Sequence, residues 1–176
     1  MISIREATID DAVMIADISR QAFYDTFFAD NSESDMKKFL DEQFTRGKLI
    51  LEVGAPDNKF ILACDGDEVA GYAKLREGKS HTTLSGLRTL EIARLYAVKE
   101  QIGKGVGKVL MQACIDEAIK RSKEVIWLGV WEKNKRAIDF YHRWGFEKFA
   151  ETEFLLGDDL QNDWLMRKSL SAGTVF

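Results

Sequence analysis

Apolar positions along this chain switch repeatedly between extended and helical periods. Ile2 and Ile4 alternate with Ser3 and Arg5, which predicts a short strand over residues 2–7. Thr8, followed three residues later by Asp11, supplies acceptors for the free amides of a helix start. Ala12, Ile15, Ala16, Ser19 and Phe23 then recur at helical spacing, so residues 9–27 are predicted as the first helix. A second helix begins between Ser32 and Ser34 and carries Met36, Phe39, Leu40 and Phe44 on one face. A weaker helical segment over residues 48–53 ends at Gly54-Ala55-Pro56-Asp57-Asn58, where Gly releases the helical dihedrals and Pro cannot continue the bonding.

Beyond that turn the period becomes extended. Residues 59–64 and 69–76 flank Asp65-Gly66-Asp67-Glu68, a tight hairpin signal, and residues 77–87 form a polar loop expected to be exposed. A strand is predicted over 88–98 and a helix over 105–122, the latter with Val106, Val109, Leu110, Ala113 and Cys114 in one arc. The unbroken apolar run at 125–131 predicts a strand buried on both faces. A short helix over 134–144, capped by Asn134 and closed by Gly145, leads to strands at 146–155 and 163–170. Helices interleaved with a mostly antiparallel run of strands give the α/β class in its mixed-sheet, α+β sense.

Composition narrows the function classes. At 176 residues and 45% hydrophobic, the chain is expected to form a single domain over residues 1–176, with 171–176 as a frayed tail. Its 29 acidic against 25 basic side chains, a net charge of -4, argue against direct nucleic acid binding, which relies on clustered Lys and Arg. Cys64 and Cys114 are too few for a disulfide framework or a metal cage, so a reducing, cytoplasmic location and no metal are expected. The N-terminus is charged within five residues and no run approaches the ~20 apolar residues of a membrane span, so neither secretion nor a membrane partner is expected.

The chemistry concentrates after the strand at 88–98. There Gly103-Lys104-Gly105-Val106-Gly107-Lys108 opens a helix, so backbone amides and a helix N-terminus crowd where a diphosphate would sit. The spacing is neither a Walker loop nor the dinucleotide fingerprint, and a Gly-rich turn alone also serves as a plain connector. A second block follows: the strand containing Trp127 and Trp131, the cap Asn134, then Phe140-Tyr141 and the Gly145-Phe146 stop.

Together, LYAVKEQIGKGVGKVLM and WEKNKRAIDFYHRWGF resemble the GNAT superfamily of acetyl-CoA-dependent N-acetyltransferases. IWLGVWEKNKRAIDFYHRWGF and the C-terminal FLLGDDLQNDWLMRKSL look closer still to the PaiA-type polyamine acetyltransferases. The resemblance implies the GNAT fold, a mixed sheet of about seven strands with about four flanking helices and acetyl-CoA held where two central strands splay apart. It implies that Leu95, Tyr96, Ala97 and Val98 offer strand-edge amides to the acetyl carbonyl and pantetheine. Gly103, Lys104, Gly105, Val106, Gly107 and Lys108 would bind the pyrophosphate, Asn134 would contact the cofactor arm, and Tyr141 would protonate the departing thiolate. The sequence departs from the family's Q/R-x-x-G-x-G/A pattern: with Gly105 and Gly107 aligned, Ile102 stands at the Gln/Arg position and Gln101 one place early.

The acceptor amine must lose a proton before attack. Glu91 is the nearest acidic candidate, with a solvated strand-face charge paired to Arg94 as the alternative, and Ala93 offers no acid. His81 and His142 are isolated, Cys114 reads as an inert apolar residue, and Trp127 and Trp131 read first as core, with Trp131 also placed to attract a cation. Asp30, Glu33 and Asp35 read as solvated or as an acidic mouth for a polyamine. The expected acceptor is a small primary amine, spermidine or spermine first. The alternatives are a protein N-terminal, aminoglycoside or other small-amine acetyltransferase, and a catalytically idle CoA-binding regulatory module. The oligomeric state stays open, a homodimer included.

Overall fold

A computed structural model of the chain describes residues 1–170, so the predicted tail at 171–176 lies outside the described residues. Seven strands form one sheet in the order β1-β2-β3-β4-β5-β7-β6. They are β1 (Ile2–Glu6), β2 (Asn58–Asp65), β3 (Glu68–Arg76), β4 (Thr89–Ala97), β5 (Val125–Trp131), β6 (Glu147–Leu156) and β7 (Asp159–Ser169). Every neighbouring pair is antiparallel except β4 and β5.

Helices α4 (Val106–Lys120) and α5 (Lys135–Arg143) cover one face, where Leu110, Met111, Cys114 and Ile138 meet Leu75, Leu90, Ile92 and Ile126. Each fully buried aliphatic side chain of this kind stabilises the fold by about 1.5–3 kcal/mol. Helices α1 (Ala12–Phe27), α2 (Glu33–Lys38) and α3 (Arg46–Glu52) cover the other face. There Ala12 and Ile15 pack on Phe60, Leu62 and Tyr72, while Phe23, Met36, Phe39, Phe44 and Leu49 form an adjoining cluster. The predicted start of α1 is present: the Asp11 carboxylate accepts the Thr8 N–H at 2.8 Å and is gripped by Arg5 at 2.8 and 2.9 Å.

Three expectations change. The second helix stops at Lys38 and continues as a π turn over Phe39–Gln43, with the Phe44 N–H donating to the Phe39 carbonyl at 3.0 Å. Five residues apart, Phe39 and Phe44 would point about 140° apart on an α-helix. The wider turn brings both rings onto Phe23, at 4.3 and 5.4 Å between centroids. The last strand begins at Asp159 rather than Asp163, because Gly157 at φ 63° makes a tight hairpin with β6 and the polar run 159–163 hides its extended form. The loop over 77–87 is not wholly exposed: Leu84 is buried against Val125, Trp127 and Leu165.

The feature that positions the site is an interrupted pairing. β4 and β5 pair only through residues 89–92 and 125–128. Ala93 is an extra residue in β4, since Leu75 faces Ile92 while Lys74 already faces Arg94. This bulge turns the rest of β4 away from β5, so the edges of residues 93–97 and 129–131 that face each other have no strand partner.

Candidate active site

The gap between the strands opens into a cleft of about 790 Å³. One end is built mainly from backbone. Gly103 and Gly105 hold φ of 84° and 88°, a left-handed conformation that glycine adopts without strain. With these turns in place, the N–H groups of Gly103, Gly105, Val106, Gly107 and Lys108 have no hydrogen-bond acceptor among the described residues. Lys108, Arg136 and Arg143 line the same cleft and form no ion pair among those residues. Free amides at a helix N-terminus with three unpaired cations beside them fit a polyphosphate.

Of the residues singled out in the sequence, Leu95, Tyr96, Ala97, Gly103, Gly105, Gly107, Lys108, Asn134 and Tyr141 line the cleft. Three of the expected cofactor residues do not. The Val98 amide is used up by the Ala70 carbonyl at 2.9 Å, Lys104 is exposed outside the lining, and the Val106 side chain is buried in the core beside Gly71. Only the Val106 backbone N–H remains available. Gln101, one place early in the motif, does line the cleft, and its Oε1 is buried without a partner among the described residues.

α5 carries two of the lining groups on one face. The Asn134 Oδ1 accepts the Ala137 N–H at 3.2 Å and so fixes the start of the helix. Seven residues on, Tyr141 is half-buried between Phe140 and Phe146, at 5.6 and 5.9 Å between ring centroids. Burial pushes its phenol above the ordinary tyrosine value, so it holds its proton at neutral pH. No described residue hydrogen-bonds its hydroxyl.

The other end is built from side chains. Phe23, Phe27, Phe39, Phe44 and Phe154 line it with Trp131, whose ring lies 5.5 Å from Phe27. Arg94 lines it too, held bidentately by Glu52 at 2.6 and 2.9 Å and lying 4.9 Å from the Phe44 ring. Glu52 also pairs with the buried Lys74 at 3.2 Å; burial, then the Arg94 charge, bring that ammonium down to about 8. Thr26, Gln43, Gln161 and Asp163 add polar groups to this lining. Burial, with the Glu132 charge behind it, lifts the Asp163 carboxyl to about 6.

Glu91 is the main correction. It is buried outside the cleft lining and clamped by Arg76 at 2.8 and 2.9 Å, so it is neither solvated, nor paired with Arg94, nor open to a substrate. Asp163, Arg94 and Gln43 were missed because no local motif marks them: they reach the cleft from β7, from the bulged half of β4 and from the π turn.

Beside the aromatic end lies a smaller pocket of about 300 Å³, sharing Trp131 and Gln161 with the cleft. Asp30, Glu132, Glu153 and Asp159 line it, with Lys133 as its one cation among the described residues. Of the three acids expected at a mouth, Asp30 is here. Asp35 instead caps the β6–β7 turn by accepting the Asp158 N–H at 2.9 Å, and Glu33 stays exposed outside it. His81 accepts the Thr83 N–H at 3.2 Å, and Trp127 packs in the core.

This combination of parallel strands splayed at a bulge, a glycine cradle and a second helix closing the gap defines an acyl-CoA site. The chain belongs to the GNAT acetyltransferase family, whose model matches residues 19–146. An uncharacterized N-acetyltransferase of the pepI 3′ region in Lactobacillus delbrueckii subsp. lactis is 43% identical over 154 residues, 87% of this chain and 88% of that one. A spermidine N(1)-acetyltransferase of Thermoplasma acidophilum is 24% identical over 152 residues, 83% and 88% of the two chains. The crystal structure of the PaiA N-acetyltransferase from Thermoplasma acidophilum in complex with coenzyme A shares the fold at a TM-score of 0.78 and 22% identity, over 97% and 99% of the two chains. The protein is an acetyl-CoA-dependent N-acetyltransferase. Among the described residues no group of three or more His, Cys, Asp or Glu is arranged to hold a metal, and no helix is long and apolar enough to cross a membrane.

Proposed function

We propose that this enzyme acetylates a primary amine of a small polycation such as spermidine or spermine. The observation that carries this reading is the continuity of the aromatic end of the cleft with a pocket lined by four carboxylates, so that one amine lies at the reacting end while a second cationic group rests among the acids. The spermidine acetyltransferase among the relatives supports it. Bound acetyl-CoA supplies an acetyl group activated as a thioester. The amides of Gly103, Gly105, Val106, Gly107 and Lys108 hold its diphosphate, and the open edge of Leu95, Tyr96 and Ala97 holds the arm and polarises the acetyl oxygen. Asn134 orients α5, and Tyr141 gives its proton to the leaving sulfur. The buried, unpaired thiols of Cys64 and Cys114 support a reducing cytoplasmic location.

The test is thiol release from acetyl-CoA with spermidine, spermine, a monoamine of similar length and a short peptide. Faster turnover per KM with the polyamines is expected. Turnover of the peptide alone would replace the polyamine by a protein substrate, and CoA binding without turnover of any acceptor would make the protein a sensor.

A further inference from the structure

The cleft contains a candidate for the group that takes the acceptor's proton, a role for which Glu91 was the nearest acid in the sequence. We propose that Asp163 on β7 is the catalytic proton acceptor for the attacking amine. This rests on the amine-acetylation reading above, whichever amine is the acceptor.

Three observations carry it. Among the described residues Asp163 is the only carboxylate lining the cleft, and it makes neither an ion pair nor a hydrogen bond through its side chain. The nearby carboxylates of Glu91, buried, and Glu52, half-buried, are occupied: Glu91 by Arg76, and Glu52 by Arg94 and Lys74. Second, its position is fixed. Asp163 faces Trp131 on β5 and Thr152 on β6, at the end of β5 where the strands have parted. Third, it lies on the correct side. Along β7, Trp164 and Met166 pack on the α4–α5 face, and Leu165 packs on the opposite face. Alternation therefore puts Asp163 with Leu165, on the face that carries Trp131, Phe27 and the aromatic wall. Tyr141 belongs to the α4–α5 face. The two groups reach the gap from opposite faces of the sheet, as acyl transfer needs when one group strips the nucleophile and the other serves the leaving sulfur.

The proton accounting closes. The acceptor arrives as an ammonium and transfers one proton to the Asp163 carboxylate, which frees its lone pair. The C–N bond forms at the thioester carbon and the C–S bond breaks, its electron pair leaving on sulfur, which takes the Tyr141 proton. The second proton, shed as the amide nitrogen loses its charge, restores Tyr141, and Asp163 releases its own to solvent. One proton is released per acetyl group transferred. A carboxylate lifted towards neutrality by burial is a stronger base than an ordinary one. Glu132, in the turn just after β5, is the charged neighbour that acts on it; Glu151 on β6 is tied to Lys148, Glu153 lies in the smaller pocket, Arg94 is held by Glu52, and Arg136 and Arg143 lie on α5.

The test compares the wild type with Asp163→Asn and Asp163→Glu, recording kcat and KM against pH with spermidine and, separately, with a short peptide carrying a free N-terminus. Asp163→Asn should lower kcat by about 100-fold or more, within the usual range of general base catalysis, and should abolish the rise in rate centred near pH 6. Asp163→Glu should restore part of both, and the CoA thermal shift should persist in both variants. A raised KM with unchanged kcat and pH profile would make Asp163 only an ammonium anchor and overturn the proposal. Turnover of the peptide but not spermidine, with the same loss in Asp163→Asn, would reject the polyamine and keep the base.

One readout is independent of turnover. With CoA bound, the side-chain carboxyl of Asp163 followed by ¹³C NMR should titrate near 6, and a midpoint near the ordinary 4 would overturn the assignment. The sign for stability follows. A carboxyl raised in the folded state stabilises the fold below its unfolded value and loses that contribution as pH rises through about 6, so Asp163→Asn should melt higher than the wild type at pH 8 and lose that advantage towards pH 4.

Discussion

The two ends of the cleft are built by opposite means. The cofactor end takes its binding groups from backbone: five free amides, two left-handed glycines and a strand edge, all within residues 93–108. The acceptor end takes its groups from side chains on α1, the π turn after α2, β4, β5, β6 and β7, which are far apart in the chain. The matched family region stops at Phe146, before β6 and β7 supply Phe154, Gln161 and Asp163. A backbone cradle accepts one ligand and tolerates change in most side chains. A side-chain wall can be remade for each acceptor without disturbing it.

The largest effect expected from this division is at Tyr141, where α5 brings a side chain to the backbone end. Tyr141→Phe should keep the ring packed on Phe140 and Phe146, keep the CoA thermal shift, and lower kcat by about 10²–10⁴. Turnover and turnover over KM should fall alike if the Tyr141 proton is given only in the transition state. Retention of more than a third of wild-type kcat, with chemistry shown to limit the rate, would reduce Tyr141 to packing.

The next effect tests the backbone end directly. A Cβ at Gly105 would meet no protein atom within 4 Å, so the fold opposes a side chain there only through the φ of 88°. A ligand approaching the amides closely would oppose it by contact. Gly105→Val should therefore lose the stabilisation by CoA, about 2.7 kcal/mol at a hundredfold excess over Kd, while still folding. A folded Gly105→Val protein with an unchanged CoA shift would remove the cradle from the site.

The same contrast explains what the sequence made legible. The cradle, the Asn134 cap and the position of Tyr141 were readable because each depends on spacing within one strand–loop–helix segment. Seven strands were readable from alternation and from the apolar run at β5. The π turn was not, because Phe39 and Phe44 look like a helical pair until both must reach Phe23. Nor was the isolation of Glu91, which depends on a register pairing it with Arg76 across the β3–β4 ladder. Asp163 reads as the first residue of the last predicted strand, with nothing local to mark it for the site, and only the pairing of β7 with both β5 and β6 turns it into a cleft residue.

The smallest expected effect concerns the acidic pocket beside the acceptor end. Asp30 and Glu153 lie there on exposed surface, so each acts through water rather than by contact in a dry site. One unit charge about 7 Å from a cation is worth roughly 0.6 kcal/mol at the dielectric of water, close to threefold in KM. Asp30→Asn and Glu153→Gln should each raise the spermidine KM about two- to fivefold, leave kcat in place, and leave the KM of a monoamine of equal length unchanged. At about 0.5 M salt, where the Debye length drops below ~5 Å, the wild-type KM for spermidine should rise towards that of the variants and the difference between them should shrink. An equal effect on both amines, or a KM for spermidine indifferent to salt, would show that the second cationic group is not held there. The pocket would then be ordinary acidic surface, and acceptor choice would rest on the aromatic wall alone.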